Sequence, residues 1–328
     1  MRPLGSTGIR VSELCLGTMT FGREIDETAS AQILDRYLDA GGNFVDTADV
    51  YATGGSEEIL GRLLAGKRDE IVLATKFRMQ LGPGRGGASR RWIRIAIEDS
   101  LRRLQTDHVD LYQIHCWDEA TPIDETLSTL DDLVHEGKVR YLGASNFAGW
   151  QLAKALGRAE LARWEPFVSI QPQYALNCRD IEREVLPLAE AEGLAVLPWS
   201  PLGGGLLTGK YRRGEQPDEG TRARDRTPSS ILIRQRLEED RVFELVDAVA
   251  RVADATGKSR AQVALNWVLH RPGVTAPILG ARTVDQIDDN LGAAGWQLDP
   301  EHRTELDQAS AVPLGYPHDF IWWINAAR

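Results

Sequence analysis

The sequence predicts an α/β fold, a (β/α)8 TIM barrel with an N-terminal β-hairpin, a long loop after the seventh strand and a C-terminal tail. Three observations predict it. Eight short apolar or β-branched runs alternate with amphipathic stretches of helical period, the pattern of parallel βαβ units. Start and stop residues punctuate the helical stretches. The 328 residues also leave roughly 41 per unit, enough for one strand, one helix and their loops.

The elements follow in order. Residues 1–11 carry a turn at Ser6-Thr7-Gly8 between extended pieces, a hairpin suited to capping one barrel end. The barrel strands are Glu13 to Leu16, Asn43 to Val45, Ile71 to Thr75, Val109 to Ile114, Arg140 to Leu142, Phe167 to Ile170, Ala195 to Leu197 and Val274 to Leu279. Helical stripes lie at Thr28 to Ala40, Ile93 to Leu104, Thr126 to His135, Trp150 to Arg158, Ile181 to Glu192, Arg241 to Thr256 and Val284 to Leu291. Asp26 and Thr121 are the expected N-caps, with Pro122 in a first turn. Gly41, Gly137, Gly193 and Gly257 stand where C′ glycines stand. The whole chain, 1–328, reads as one domain. A doubly wound dinucleotide fold would need GxGxxG directly after its first strand. The one match, Gly82, Gly84 and Gly87 in GPGRGG, lies in the third unit with a proline inside it and reads as a mobile loop.

Composition narrows the function. The net charge of −10 lacks the basic footprint of sequence-independent nucleic-acid binding. Cys15, Cys116 and Cys178 are odd in number and far apart, which fits a reducing cytoplasm better than a disulfide framework. No apolar run has the length of a signal peptide or a membrane span, so no membrane partner is expected.

In such a barrel the working residues stand at the C-terminal strand ends. They read Asp46 with Tyr51 after the second strand, Lys76 after the third, His115 after the fourth and Ser145-Asn146 after the fifth. Gln171 ends the sixth, Trp199-Ser200 follow the seventh, and Gly280 and Arg282 follow the eighth. Any one of these has an ordinary structural reading, such as a salt bridge or a satisfied core group. Together they make a device. Tyrosine is a poor acid near neutrality, and an adjacent ammonium stabilises its phenolate. A carboxylate holds that ammonium in place. Asp46, Lys76 and Tyr51 come from adjacent strand ends, and His115 can hold a substrate oxygen, an arrangement for general acid catalysis. None of these residues supplies electrons, so a cofactor must carry a hydride. Ser145, Asn146 and Gln171 offer carboxamide partners, and Trp199 offers a flat face. Pro201 to Lys210 (PLGGGLLTGK) suits a pyrophosphate without having P-loop spacing. A metal-dependent barrel hydrolase would need HxH after the first strand. The sequence there is Leu16-Gly17-Thr18-Met19, the six histidines are scattered, and no metal site is expected.

These segments resemble the aldo-keto reductase family over nearly the whole chain: GGNFVDTADVYATGGSEEILG, ATK, DLYQIHCWD, GASNF, QPQYALN, PWSPLGGGLLTGKY and ILGARTVDQIDDN. The resemblance implies Asp46, Tyr51, Lys76 and His115 as the catalytic group and NADPH-dependent reduction of an aldehyde or ketone, with Tyr51 the proton donor and His115 orienting the carbonyl. It implies that Thr18, Met19 and Asp46 bind the cofactor, that Ser145, Asn146 and Gln171 hold its carboxamide and that Trp199 stacks on the nicotinamide. Ser200, Leu202, Gly204 and Lys210 would hold the pyrophosphate. Gly280, Arg282, Gln286 and Asn290 would hold the adenosine end. Arg282 suits a 2′-phosphate through its bidentate fork. The sequence is similar to the branch that includes potassium-channel β subunits, so the alternative is a weakly catalytic NADPH-binding partner subunit. The complete acid set does not favour it, and no N-terminal inactivation segment is expected ahead of the barrel. The family's substrate loops point to Met19, Phe21, Trp117 and the tail Phe320 to Trp323, with Trp322 or Trp323 closing over the pocket beside Tyr51 and His115. A small carbonyl compound is the expected partner, with a monomer the simplest state and a homo-oligomer the alternative. The charged loop from Gly203 to about Arg236 is expected to fold over the cofactor or to order with it.

Overall fold

Eight parallel strands pair in the order β10-β3-β4-β5-β6-β7-β8-β9 in a computed structural model that describes residues 1–221, 223–224, 233–237 and 239–326. They are β3 (Cys15–Gly17), β4 (Phe44–Asp46), β5 (Val72–Phe77), β6 (Val109–Ile114), β7 (Val139–Ser145), β8 (Phe167–Gln171), β9 (Ala195–Val196) and β10 (Ile278–Leu279). The two ends of this sheet meet. Thr275 N donates to Val196 O at 2.8 Å and Ile278 N donates to Pro198 O at 2.8 Å, which curls the sheet into the barrel. The hairpin is also present: β1 (Arg2–Pro3) and β2 (Arg10–Val11) pair antiparallel, and Leu4 and Val11 join the apolar cluster inside the barrel.

Alternation along the strands separates two cores. On β5, Ala74 belongs to the inner cluster with Cys15, Phe44, Leu111, Ala195 and Leu197. Leu73 and Phe77 belong to the larger cluster shared with the helices, which contribute Ile33, Ile97, Leu130 and Leu152. Further along the inward columns the apolar residues give way to polar ones. Phe44 is followed by Asp46, Ala74 by Lys76, and Leu111 by Gln113. The register sets Lys76 beside Gln113, Gln113 beside Gly143, and Gly143 beside Ser169. Gly143 is a close-approach position: a Cβ there would lie 2.5 Å from Ser169 Oγ and 2.9 Å from Gln113 Cγ.

The helices start for local reasons. Asp26 caps Glu27–Asp39 through Ala29 N at 2.9 Å, as expected. Thr121 does not cap the next expected helix. Ile123–His135 begins after Pro122, and the Thr121 hydroxyl donates to Asp118 at 2.8 Å instead. Gly41, Gly137, Gly193 and Gly257 all adopt positive φ beyond their helices. Helices absent from the periodicity reading are Gly55–Leu63, Arg260–Leu269, Pro300–Ala309 and His318–Ala326. Arg260–Leu269 is buried from Ala261 onward on nearly every side, so it has no polar stripe to reveal its period. The GPGRGG segment forms a tight turn, with Gly82 and Arg85 bridged antiparallel. Residues 222, 225–232 and 238, part of the expected cofactor-covering loop and the segment after it, lie outside the described residues.

Candidate functional site

At the C-terminal mouth of the barrel a charged lysine is sealed among oxygens. Lys76 is fully buried on β5. Its Nζ pairs with Asp46 Oδ1, donates to Thr47 O at 2.8 Å and reaches the Tyr51 hydroxyl at 3.4 Å. Burial pulls the lysine's pKa down. The charges and hydrogen bonds of Asp46 and Tyr51 outweigh this and leave the pKa above its usual value. Asp46 ends β4 and is itself buried. Its other oxygen accepts from Gln113 Nε2 at 3.1 Å and Gln171 Nε2 at 2.9 Å, so two amides and one ammonium share its lone pairs.

Tyr51 opens a short 3-10 turn, Tyr51–Gly54, in which Ala52 and Thr53 both take positive φ, at 48° and 56°. Non-glycine residues enter this region only when their surroundings impose it. The strained turn brings Tyr51 back over β5, with Lys76 Nζ 5.1 Å from the ring centre. His115 stands across from it, ring centres 6.0 Å apart and nearly perpendicular. Burial, then the positive charges of Lys76 and Arg78, push the His115 pKa down to about 3. The imidazole is therefore neutral near pH 7, able to donate from one nitrogen while carrying no charge. Its Nδ1 is buried without a hydrogen-bond partner among the described residues.

One wall is a hydrogen-bonded chain. Ser145 Oγ donates to Gln171 O at 2.8 Å. Asn146, at φ 54°, donates to His115 O at 2.9 Å and to Ser145 Oγ at 3.0 Å, and accepts from Trp199 Nε1 at 3.0 Å. The chain continues into Ser200, whose Oγ accepts from Gly204 N at 3.1 Å. Gly203, Gly204 and Gly205 follow with successive φ of 59°, 71° and 92°, a left-handed run that glycine adopts at least cost. Side chains at the last two would strike Ile233 and Lys210. The N–H groups of the run close the turn on itself: Gly203 N donates to Ser200 O at 2.8 Å and Gly205 N to Leu202 O at 3.0 Å.

The sequence model of the Aldo/keto reductase family matches residues 13–311. The chain belongs to this family. It is 42% identical to an uncharacterized oxidoreductase, YrpG, of Bacillus subtilis (strain 168), over 97% of this chain and 98% of that protein. It is 36% identical to the norsolorinic acid reductase stcV of Emericella nidulans, over 96% of this chain and 82% of that one. It is 31% identical to an aryl-alcohol dehydrogenase [NADP(+)] of Phanerodontia chrysosporium, over 95% and 86%. The chain is thus an oxidoreductase of a carbonyl-reducing family that uses a nicotinamide cofactor.

The geometry of this aldo/keto reductase places the sequence-derived residues unevenly. Asp46, Tyr51, Lys76, His115, Ser145, Asn146, Gln171 and Trp199 stand in one connected group, as the bonds above describe. Thr18 is fully buried, its hydroxyl bonded to Ser56 and Asp46 O, while Met19 is half-buried at the rim. Leu202 is half-buried before the glycine run, and Lys210 lies against Gly205. Arg282 donates to Gly220 O at 2.6 Å and stands 3.7 Å from Glu24. Gln286 accepts from Arg282 N, and Asn290 donates to Gly280 O, so both brace the backbone of that loop. Phe21 is fully buried in the helix-side core. Trp117 packs edge-on against Phe147 and tilts onto Trp150. Trp322 is 65% exposed, and its helix is tethered by His318 to Glu184 at 3.6 Å. Sequence reasoning missed Gln113, Thr47 and Arg78. Counting alternate residues back from His115 on β6 would have found Gln113, a polar residue in the inward column of an apolar strand.

Proposed function

We propose that this chain reduces an aldehyde or ketone to an alcohol with NADPH, and that Tyr51 donates the proton. The observation that carries the reading is the buried ammonium of Lys76, held between Asp46, Thr47 O and the Tyr51 hydroxyl. An ammonium beside a phenol favours the phenolate left when the proton departs. Asp46, with both oxygens occupied, keeps that ammonium charged and aimed. Neutral His115 orients the carbonyl oxygen by donating a hydrogen bond while leaving the acid role to Tyr51. A nicotinamide cofactor supplies the hydride when bound.

The residues fit such a cofactor. Ser145, Asn146 and Gln171 present carboxamide partners, and Trp199 an aromatic face. The left-handed glycine run with Ser200, Leu202 and Lys210 suits a pyrophosphate. Thr18 and Met19 sit at the first strand end of the same mouth. Gly280 and Arg282 precede the Thr283-capped helix Val284–Leu291, which carries Gln286 and Asn290; its N-terminus and the Arg282 guanidinium suit a phosphate and favour NADPH over NADH. The test is a panel of aldehydes and ketones with NADPH oxidation as readout. Turnover of one of them with a measurable kcat/KM supports the reductase reading. Tight NADPH binding with no turnover across the panel instead selects a cofactor-binding partner subunit.

A further inference from the structure

We propose that the cavity beside His115 is a subsite for an anionic oxygen, carboxylate or phenolate, carried by an aryl carbonyl substrate, and that Arg78 binds it. This deepens the carbonyl-reductase reading above and rests on it. The cavity, about 410 Å³, is lined by Arg78, Cys116, Trp117, Asp118, Asn146 and Gln151. It adjoins the candidate site through Asn146, which donates to His115 O at 2.9 Å.

Arg78 stands two residues beyond Lys76 with φ 104°, a region that arginine seldom enters. Backbone outliers of this kind gather where a side chain must be aimed. Its Nε is buried and has no hydrogen-bond partner among the described residues. Among the described residues its guanidinium makes one ion pair, Nη2 to Asp118 Oδ1 at 3.7 Å, too long for a hydrogen bond. Asp118 shares charge with Arg78 across that gap but takes none of the guanidinium's hydrogen bonds. Its oxygens already accept from Ala88 N at 2.7 Å, Thr121 Oγ1 at 2.8 Å and Ala120 N at 3.2 Å. Glu119, the other acid at the cavity, is exposed. The guanidinium fork therefore keeps its donors for an incoming anion, and a planar carboxylate matches it bidentately. Trp117 supplies an aromatic wall beside it, which suits an aryl ring that carries both the anion and the carbonyl.

The experiment has two readouts on full-length protein. Turnover with NADPH is compared for benzaldehyde, 4-carboxybenzaldehyde, and 4-hydroxybenzaldehyde at a pH where it is a phenolate. Calorimetry on NADPH-saturated protein then compares 4-carboxybenzyl alcohol with benzyl alcohol, where no reaction occurs. The expected result is that the carboxylated alcohol binds about tenfold or more tightly than the neutral one. Arg78→Gln should erase that preference and Arg78→Lys should restore part of it. In turnover, the anionic-to-neutral kcat/KM ratio should fall by a similar factor in Arg78→Gln, and the two anionic aldehydes show which oxygen is preferred. Equal binding of both alcohols, or a preference that survives Arg78→Gln, overturns the subsite. Preferential binding that depends on Arg78, with no aldehyde turned over, leaves the subsite standing and overturns the reductase reading instead.

Discussion

Lys76 shows how a single buried charge organises the surrounding side chains. Taking an ammonium out of water is expensive unless it is paired and hydrogen-bonded. Asp46, Thr47 O and Tyr51 meet that need, so removing the lysine should strand Asp46. Lys76→Met is expected to destabilise the fold by about 3–5 kcal/mol, the usual loss when one partner of a buried pair is removed. Adding Asp46→Asn should recover part of it, because the stranded charge is then gone. Thermal unfolding of the single and double variants checks this. A second expectation concerns His115. Its pKa of about 3 means that turnover should show no histidine titration between pH 5 and 8, and a kcat/KM profile reads this directly. At this scale the sequence revealed the ionisable residues, because each stands at the C-terminal end of its strand or just beyond it. It concealed Gln113, which looks like a chance polar residue until alternation is counted, and Arg78, whose importance lies in a backbone angle.

Elements decide which of these residues meet. The strand-to-turn transition at Tyr51 depends on positive φ at Ala52 and Thr53, an arrangement that no propensity of those residues announces. The loop after β10 acts through its bracing: Gln286 and Asn290 hold its backbone while Arg282 faces Gly220 and Glu24. Arg282→Ala should therefore raise the Kd for NADPH much more than that for NADH, by roughly tenfold if a bidentate phosphate contact is lost. Fluorescence titration with each cofactor measures it, and an equal change for both would remove Arg282 from phosphate recognition. Amphipathic helices were legible from their stripes, and so were most strand centres. The helix Arg260–Leu269 was not, because burial all round erases the periodic signal.

At the scale of the whole molecule, two buried groups give stability opposite dependences on pH. His115 has a folded pKa of about 3 against 6.5, so the unfolded chain binds the proton more readily and stability falls as pH drops from about 6.5 toward 3. Asp49 has its carboxyl raised to about 8, first by burial and then by Glu57, against the downward pull of Arg103, Val50 N–H and Lys76. The folded chain holds that proton more tightly, so its contribution is lost as pH rises from about 4 to 8. Above pH 6.5 only Asp49 of these two acts, with a slope approaching about 1.4 kcal/mol per pH unit. Asp49→Asn should flatten the decline in thermal midpoint between pH 6.5 and 8, and an unchanged slope would assign the decline elsewhere. The barrel itself was legible in the alternation of strands and helices. The short extent of its last two strands, β9 and β10 at two residues each, was not, because much of their meeting runs through backbone beside them, as at Thr275 N to Val196 O.

The central claim is that Tyr51 is an acid made effective by Lys76 and Asp46. Tyr51→Phe removes only the hydroxyl. NADPH binding, by fluorescence titration, and carbonyl turnover are then measured on the same preparation. Cofactor affinity is expected within about twofold of the parent, with a loss of roughly 10²–10⁴ in kcat. Turnover at the parent's rate, with the cofactor bound, would contradict it.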